Sequence, residues 1–180
     1  MAESWGRTMA ESYKVPYRKP STTARMTPDE YLASESHGNG RHEYVGGYIF
    51  AMTGASDAHN VIAGNLFALL HAHLRGTTGC RAYINEMKAK IEATESFYYP
   101  DVMVTCEPFE AKSLFKKSPC LIIEVSSPST KHIDRREKLV AYHQLESLRE
   151  YLIVNRDKTK VEYFRKTDDS KWIVTDRMKR

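Results

Sequence analysis

The spacing of apolar residues along the chain predicts two helices in its first half. In residues 61–74, apolar side chains recur at helical spacing, and Ser56 and Asp57 directly before them are typical of a helix N-terminus. Another helix is predicted to begin after Thr27, because a capping hydroxyl is followed there by a proline and two acids. This helix is expected to end before the loop at 38–40.

Runs of β-branched and aromatic residues predict the strands. The adjacent glycines Gly46 and Gly47 inside the apolar run 44–52 indicate a hairpin or a bent strand. Further strands are expected at about 81–91, 98–106, 119–126, 150–154, 160–165 and 172–175, with a helix at about 131–147. The order is helix, three strands, helix, strand and a terminal hairpin, which indicates an α/β fold with a mixed sheet.

The net positive charge of the chain comes from its two ends. The whole chain has a formal net charge of +4, and residues 1–26 hold five Lys or Arg against two Asp or Glu. Because they also lack periodicity, we expect residues 1–26 to be a flexible basic tail and residues 27–180 to form a single domain. The total charge permits a polyanion partner but does not demand one.

Cysteine spacing and hydropathy limit the cellular location and the partners that the chain is expected to have. Cys80, Cys106 and Cys120 lack the spacing of a structural zinc site, so we expect reduced thiols in a cytoplasmic protein. Since the chain has no apolar stretch near the ~20 residues of a membrane span, no membrane partner is expected. It also has no glycine-rich nucleotide-binding loop, and we expect no nucleotide cofactor.

Two acids stand in runs that are otherwise typical of buried strands. Asp101 lies within the predicted strand 98–106, and Glu124 interrupts the run 120–126. A buried acid requires a cation, a hydrogen-bond donor or a metal. If the strands are antiparallel neighbours, Asp101 opposes Glu124 and Thr105 opposes Cys120, with facing Cβ atoms ~5 Å apart. The two carboxylates could then share a divalent ion, for which hard oxygen ligands favour Mg²⁺ or Mn²⁺.

The helix predicted after Glu124 supplies a cation. Asp134, Lys138 and Tyr142 follow one another at i, i+4 spacing, so they share one face of that helix. Side chains on a helix lean toward its N-terminus, which would direct Lys138 back toward Glu124.

Each of these residues also has a structural interpretation. The two acids could instead form ion pairs with Lys88 or Lys90, and Lys138 could be an exposed lysine paired with Asp134.

Two further residues have equally open roles. Glu43 suits an ion pair with Arg41 or a backbone amide as well as it suits a metal. His59 could be a capping or core histidine.

Taken together, these segments resemble the PD-(D/E)XK nuclease superfamily, and most closely its Uma family of restriction endonuclease-like proteins. The resemblance spans roughly residues 27–165. The matching segments are 41–47 (RHEYVGG), 99–104 (YPDVMV), 122–130 (IIEVSSPST) and 150–154 (EYLIV), together with His59, Asp134, Lys138 and Tyr142.

The resemblance implies a restriction endonuclease-like core that hydrolyses DNA with the help of Mg²⁺ (or Mn²⁺). Asp101 and Glu124 would hold the metal, and Lys138 would orient the attacking water or stabilise the transition state. Glu43 matches a further acid of the family. Ser126 stands where the superfamily motif has its lysine, and Lys138 matches the position that replaces it.

Three further residues are expected to contact the catalytic residues without taking part in the reaction. They are His59, Asp134 and Tyr142. The sequence therefore predicts a Mg²⁺-dependent endodeoxyribonuclease that acts on DNA, as a homodimer if both strands are cut. The alternative is a nuclease-like module that binds nucleic acid or a protein partner without cleaving.

Overall fold

The computed structural model describes residues 18–38, 40–76, 79–127, 130 and 132–178. Most of the predicted tail, residues 1–17, lies outside the described residues. So do Pro128, Ser129 and Lys131, which belong to the predicted turn and helix start after Glu124.

Two of the helices begin where the capping patterns predict. The helices are α1 (Pro28–His37), α2 (Asp57–Leu74) and α3 (Leu139–His143), and a π-helical turn (Ile133–Lys138) leads directly into α3. Thr27 and Glu30 form a reciprocal capping box at α1, and the Ser56 hydroxyl accepts a hydrogen bond from the amide of His59 at α2. Both predicted helix N-termini in the first half of the chain are confirmed.

In the described part of the chain, eleven strands form two sheets. They are β1 (His42–Val45), β2 (Tyr48–Ala51), β3 (Arg81–Ile84), β4 (Lys88–Ile91), β5 (Ser96–Tyr98), β6 (Val102–Thr105), β7 (Phe115–Lys116), β8 (Pro119–Ser126), β9 (Glu150–Asn155), β10 (Lys160–Lys166) and β11 (Trp172–Met178). The predicted hairpin is confirmed as β1–β2, with Gly46 and Gly47 at φ +54° and +96° in its turn.

The sheet topology confirms the predicted fold class. One sheet has the order β2-β1-β5-β4-β7, and the other has the order β11-β10-β9-β8-β6-β3. Both are mixed, since β4–β7 and β8–β9 are parallel and the other pairs are antiparallel. The six-stranded sheet takes β3, β6 and β8 after α2, then β9 after α3, and ends in the hairpin β10–β11, as the element order predicts.

Two predicted strands were wrong, because each is divided between the two sheets. The expected strand 81–91 is β3 in one sheet and β4 in the other, separated by a turn in which Asn85 has a positive φ of 54°. The expected strand 98–106 is likewise β5 and β6, and Pro100 between them cannot donate to a ladder. Asp101 therefore lies directly before β6 and not within a strand.

The chain packs in layers around the two sheets. Alternate residues of the six-stranded sheet, Val102, Ile123 and Val125, pack under α2. The opposite face packs on α3 and the five-stranded sheet through a core that includes Met103, Tyr142 and Tyr98. The acid Glu124 alternates with Ile123 and Val125, so it belongs to this second, inner face.

The expectation of three reduced thiols is wrong. Cys80 directly precedes β3 and Cys106 directly follows β6, and the pairing of Arg81 with Thr105 places the two cysteines opposite each other. They form a disulfide with Cα atoms 3.9 Å apart, and Cys120 is a free, half-buried thiol. Zinc-type spacing could not reveal this pair, because the strand register brings the two cysteines together.

No helix in the described part of the chain is long and apolar enough to cross a bilayer. The cytoplasmic location stays a prediction.

Candidate active site

The facing ends of β6 and β8 define the site. Val102 pairs with Ile123, and the next pair in that register is Asp101 opposite Glu124, as predicted. The other end of the predicted register was wrong. A bulge between Val104 and Thr105 pairs Thr105 with Pro119 instead of Cys120, which leaves the end nearer Glu124 unchanged.

Asp101 is fixed by a strand amide and a histidine. Its Oδ2 accepts a hydrogen bond from the Val125 amide at 2.7 Å and lies 3.1 Å from His59 Nε2. The hydrogen bond to Asp101 raises the pKa of His59. Because Ser56 caps α2, His59 lies in its first turn and reaches the start of β6.

Glu124 receives two hydrogen bonds on one carboxylate oxygen. Lys138 Nζ lies 3.0 Å from Oε1, and the Tyr142 hydroxyl donates to the same atom at 2.8 Å. Burial raises the pKa of Glu124 well above its ordinary value; Lys138 opposes this effect, while Asp101 adds to it.

Glu43 lies on the other side of the same lysine. Its Oε1 is 3.1 Å from Lys138 Nζ, and its Oε2 accepts a 2.6 Å hydrogen bond from Arg18. Burial raises the pKa of Glu43, but the two cations outweigh it, and the pKa is lowered. Glu43 thus differs from Glu124 because it has two cationic partners.

The structure tests the alternative ion pairs directly. Lys138 is buried and contacts Glu43 and Glu124 as well as Asp134, which is 3.7 Å away, so it is not an exposed lysine. Arg41 pairs with Glu86 and not with Glu43.

Neither predicted lysine partner of the two strand acids pairs with them in the part of the chain that the structure describes. Lys90 lies 3.6 Å from Glu92, and the Lys88 ammonium lies 4.9 Å from the centre of the Tyr99 ring.

A π-helical turn carries the helical members of the site. Asp134, Glu137 and Lys138 are all buried within it. Burial raises the pKa of Asp134, although Lys138 opposes this effect. Single π turns are rare and recur at functional sites. In this turn Glu137 and Lys138, which are adjacent in the sequence, both contact the residues of the site. The i, i+4 spacing of Asp134, Lys138 and Tyr142 therefore does not account for every residue on this face.

The structure thus brings together the seven residues that sequence reasoning selected, namely Glu43, His59, Asp101, Glu124, Asp134, Lys138 and Tyr142. Their catalytic and metal-binding roles stay predictions.

Sequence reasoning missed three members of the same cluster. Arg18 donates to Glu137 Oε1 at 2.7 Å as well as to Glu43, and the Tyr98 hydroxyl donates to Glu137 at 3.2 Å. Arg18 comes from the segment predicted to be a tail, where no periodic pattern marks it. Glu137 precedes Lys138, so an ordinary helix would direct it elsewhere.

The donor set suits one divalent ion held by few protein ligands. Among the described residues, no group of three or more His, Cys, Asp or Glu side chains is arranged to hold a metal. Mg²⁺ commonly uses one or two carboxylates and completes its shell with water and phosphate. Within the described part of the chain, hydrogen bonds reach only Oδ2 of Asp101 and Oε1 of Glu124.

The charge balance favours the same ion. The buried acids Glu43, Glu124, Asp134 and Glu137 are accompanied by the two cations Arg18 and Lys138. Negative charge is therefore in excess, and the neighbouring acids add to the effect of burial in raising the pKa of Glu124. Asp101 and Glu124 accordingly fit Mg²⁺ or Mn²⁺.

A mixed sheet that presents an aspartate, a glutamate and a lysine together defines the class of PD-(D/E)XK-like, restriction endonuclease-like folds. The chain belongs to the Uma2 family, described as "Putative restriction endonuclease", whose model matches residues 28–177. The family assignment made from the sequence is confirmed.

Two relatives and a solved structure are similar to the chain. The chain is 36% identical over 167 residues to the uncharacterized protein slr1290 of Synechocystis sp., covering 92% of this chain and 84% of that protein. It is 32% identical over 161 residues to the uncharacterized protein sll1609 of the same organism, covering 88% and 90%.

The fold is similar to a crystal structure described as a putative nuclease belonging to DUF820 from Anabaena variabilis. The TM-score is 0.67 at 19% sequence identity, and the match covers 84% of this chain and 85% of that one. The likeness supports the fold.

Proposed function

We propose that this protein is a metal-dependent endonuclease that hydrolyses phosphodiester bonds in DNA. The observation that carries the proposal is the buried contact of Lys138 with Glu124, beside Asp101, in a member of the family described as "Putative restriction endonuclease". Each group is held by neighbours before any substrate arrives, which is the preorganisation that electrostatic catalysis requires.

Asp101 and Glu124 would hold one Mg²⁺ or Mn²⁺ ion. When bound, the ion would supply a water of lowered pKa and screen charge on the phosphate. The amide of Val125 and His59 fix Asp101, while Tyr142 fixes Glu124, so both carboxylates are oriented from the protein side.

Lys138 would provide the positive charge that faces the reacting phosphate. Its ammonium lies between Glu43 and Glu124 at 3.1 and 3.0 Å, which keeps it charged, and the two acids together with Asp134 raise its pKa although burial alone would lower it. A fixed cation there would orient the attacking water or stabilise the developing charge.

A supercoiled-plasmid nicking assay with Mg²⁺ or Mn²⁺ tests the proposal. Wild type should nick, while Asp101→Asn should lose at least about a hundredfold of the rate, because the variant lacks a charged ligand. Asp168→Asn is the matched control: it makes the same change at an exposed position, and it should nick like wild type.

Thermal unfolding gives a second readout that does not depend on cleavage. Mn²⁺ should raise the melting temperature of wild type and of Asp168→Asn more than that of Asp101→Asn. If wild type binds DNA but never nicks it, the non-cleaving binding module is the better description. The homodimer also stays a proposal, which analytical ultracentrifugation with and without DNA would test.

A further inference from the structure

The described chain begins with a segment that lies outside the matched family domain. This N-terminal segment, residues 18–27, runs along the free edge of β2, whereas the family match begins at residue 28. The Ser21 amide donates to the Ile49 carbonyl at 2.8 Å, and the Met26 amide donates to Gly47 at 2.9 Å. Backbone hydrogen bonds therefore join the segment to the β1–β2 hairpin at two separate points.

Its first described residue, Arg18, enters the buried acidic cluster. One guanidinium nitrogen donates to Glu43 Oε2 at 2.6 Å, and the other donates to Glu137 Oε1 at 2.7 Å. The guanidinium also lies 4.6 Å from the centre of the Phe50 ring, and the side chain is only 15% exposed. Arg18 thus joins β1 to the π-helical turn.

These contacts place Arg18 in a chain of alternating charges. Glu137, Arg18, Glu43, Lys138 and Glu124 follow one another at 2.7, 2.6, 3.1 and 3.0 Å. Each cation lies between two acids, so Lys138 divides its contacts between Glu43 and Glu124. Without Arg18, Glu43 would lose its second cation and would draw Lys138 away from Glu124.

We propose that Arg18 is a positioning residue for this site, which acts through Glu43 to hold Lys138 beside Glu124. The inference rests on the proposed nuclease function and adds to it a residue from outside the family domain. Arginine suits the position because its planar guanidinium presents a separate nitrogen to each carboxylate, whereas a lysine ammonium would have to reach both acids from a single nitrogen. The domain that the family model matches is therefore incomplete without residues 18–27.

Arg18→Gln tests this role, with Arg25→Gln as its matched control. Arg25 lies in the same segment, is exposed, and stacks its guanidinium 5.2 Å from the Tyr48 ring, away from the acidic cluster. Both variants lose one positive charge. In plasmid nicking we expect Arg18→Gln to lose about tenfold to a hundredfold in kcat with KM for DNA within about threefold, because the reacting groups are misplaced and not removed. Arg25→Gln should keep the wild-type kcat.

Chemical rescue separates positioning from folding. In Arg18→Ala, millimolar guanidinium should restore part of the lost kcat, and methylammonium should not, since only guanidinium reproduces the two nitrogens that Arg18 presents to Glu43 and Glu137. Arg18→Lys keeps the charge and should stay folded, yet it should show the same loss of kcat. Circular dichroism and thermal unfolding of every variant define the folded fraction to which kcat is normalised.

The outcomes are distinct. If wild type does not nick, the nuclease proposal fails, and this inference fails with it. If wild type nicks and Arg18→Gln or Arg18→Lys keeps the wild-type kcat, the positioning role of Arg18 is wrong while the nuclease proposal stands. Equal rescue by guanidinium and methylammonium would also overturn it, because any cation would then be sufficient.

Discussion

The ammonium of Lys138 lies 3.0 Å from Oε1 of Glu124, and the two side chains are only 9% and 3% exposed. The Tyr142 hydroxyl donates to the same oxygen, so the pair has a fixed geometry. A buried ion pair of this kind adds little net stability compared with apolar residues of the same shape, yet breaking it is costly. The pair is better explained by chemistry at the site than by stabilisation of the fold.

Lys138→Met should therefore weaken both folding and activity. Removing the ammonium leaves Glu43 and Glu124 without their shared cation, which should cost about 3–5 kcal/mol in the free energy of unfolding. Nicking should fall at least about a hundredfold, since a fixed positive charge beside the phosphate is lost. Urea denaturation and the plasmid assay measure the two effects separately.

The double variant Lys138→Met with Glu124→Gln is the control. It removes one of the two unpaired charges, so part of the lost stability should return while nicking stays absent. Recovery of nicking together with stability would mean that the reaction needs neither Lys138 nor Glu124.

Glu124 should make the metal-free protein less stable as pH rises. Its pKa in the folded state lies above the ordinary 4.5, so the folded protein binds this proton more tightly than the unfolded chain does. The resulting stabilisation is fully present below about pH 4.5 and is lost as pH rises through the raised pKa. The measurement is the unfolding free energy of wild type minus that of Glu124→Gln, from pH 4.5 to 8 in a chelator.

That difference should decline with pH, and Mn²⁺ should reduce the decline, because a bound cation favours the ionised carboxylate. Glu146→Gln, at an exposed position, should give a curve parallel to wild type. If the difference in unfolding free energy between wild type and Glu124→Gln stays constant with pH, burial does not raise the pKa of Glu124.

Much of the site could be predicted because it depends on strand register and helix spacing. The prediction that Asp101 lies opposite Glu124 required only that two strands be antiparallel neighbours. The position of Lys138 was predicted from its spacing on the helix that follows Glu124. Arg18 could not be predicted in this way, because its contact with Glu43 joins a segment without periodicity to a strand 25 residues away.

The sequence also did not reveal that the predicted strand 81–91 is divided between two sheets. Lys88 and Ala89 continue the apolar and polar pattern of β3, yet the positive φ of Asn85 turns the chain into the other sheet. A single residue of unusual conformation thus changes the partner of a whole strand, while the local pattern of side chains stays typical of one long strand.

The disulfide between Cys80 and Cys106 should stabilise the oxidised protein. It closes a loop of 26 residues, for which the chain-entropy estimate is roughly 3.5 kcal/mol at 25 °C. Reduction, or Cys80→Ser, should lower the unfolding free energy by an amount of that order, measured by urea denaturation with and without dithiothreitol. Cys120→Ser should leave the dithiothreitol effect unchanged, and alkylation should label one thiol before reduction and three after it. If three thiols are labelled without reduction, the bond is absent in solution.

His143 should destabilise the fold at mildly acidic pH. Its ring stacks on Trp172 with centroids 4.2 Å apart, and burial lowers its pKa from 6.5 to about 4. The folded state therefore binds this proton less tightly than the unfolded chain, and stability is lost as pH falls from about 6.5 to about 4. The full loss is about 3 kcal/mol, at 1.36 kcal/mol for each pKa unit.

Comparison with His143→Phe isolates that contribution, because phenylalanine keeps a ring against Trp172 and has no proton to gain. Wild type should lose stability relative to this variant between pH 6.5 and 4, in urea denaturation at constant ionic strength. Nuclear magnetic resonance of the imidazole gives an independent measurement, with a midpoint expected near 4. A midpoint near 6.5, or two stability curves that stay parallel, would mean that the ring is solvated in solution and that its stacking on Trp172 does not exclude water.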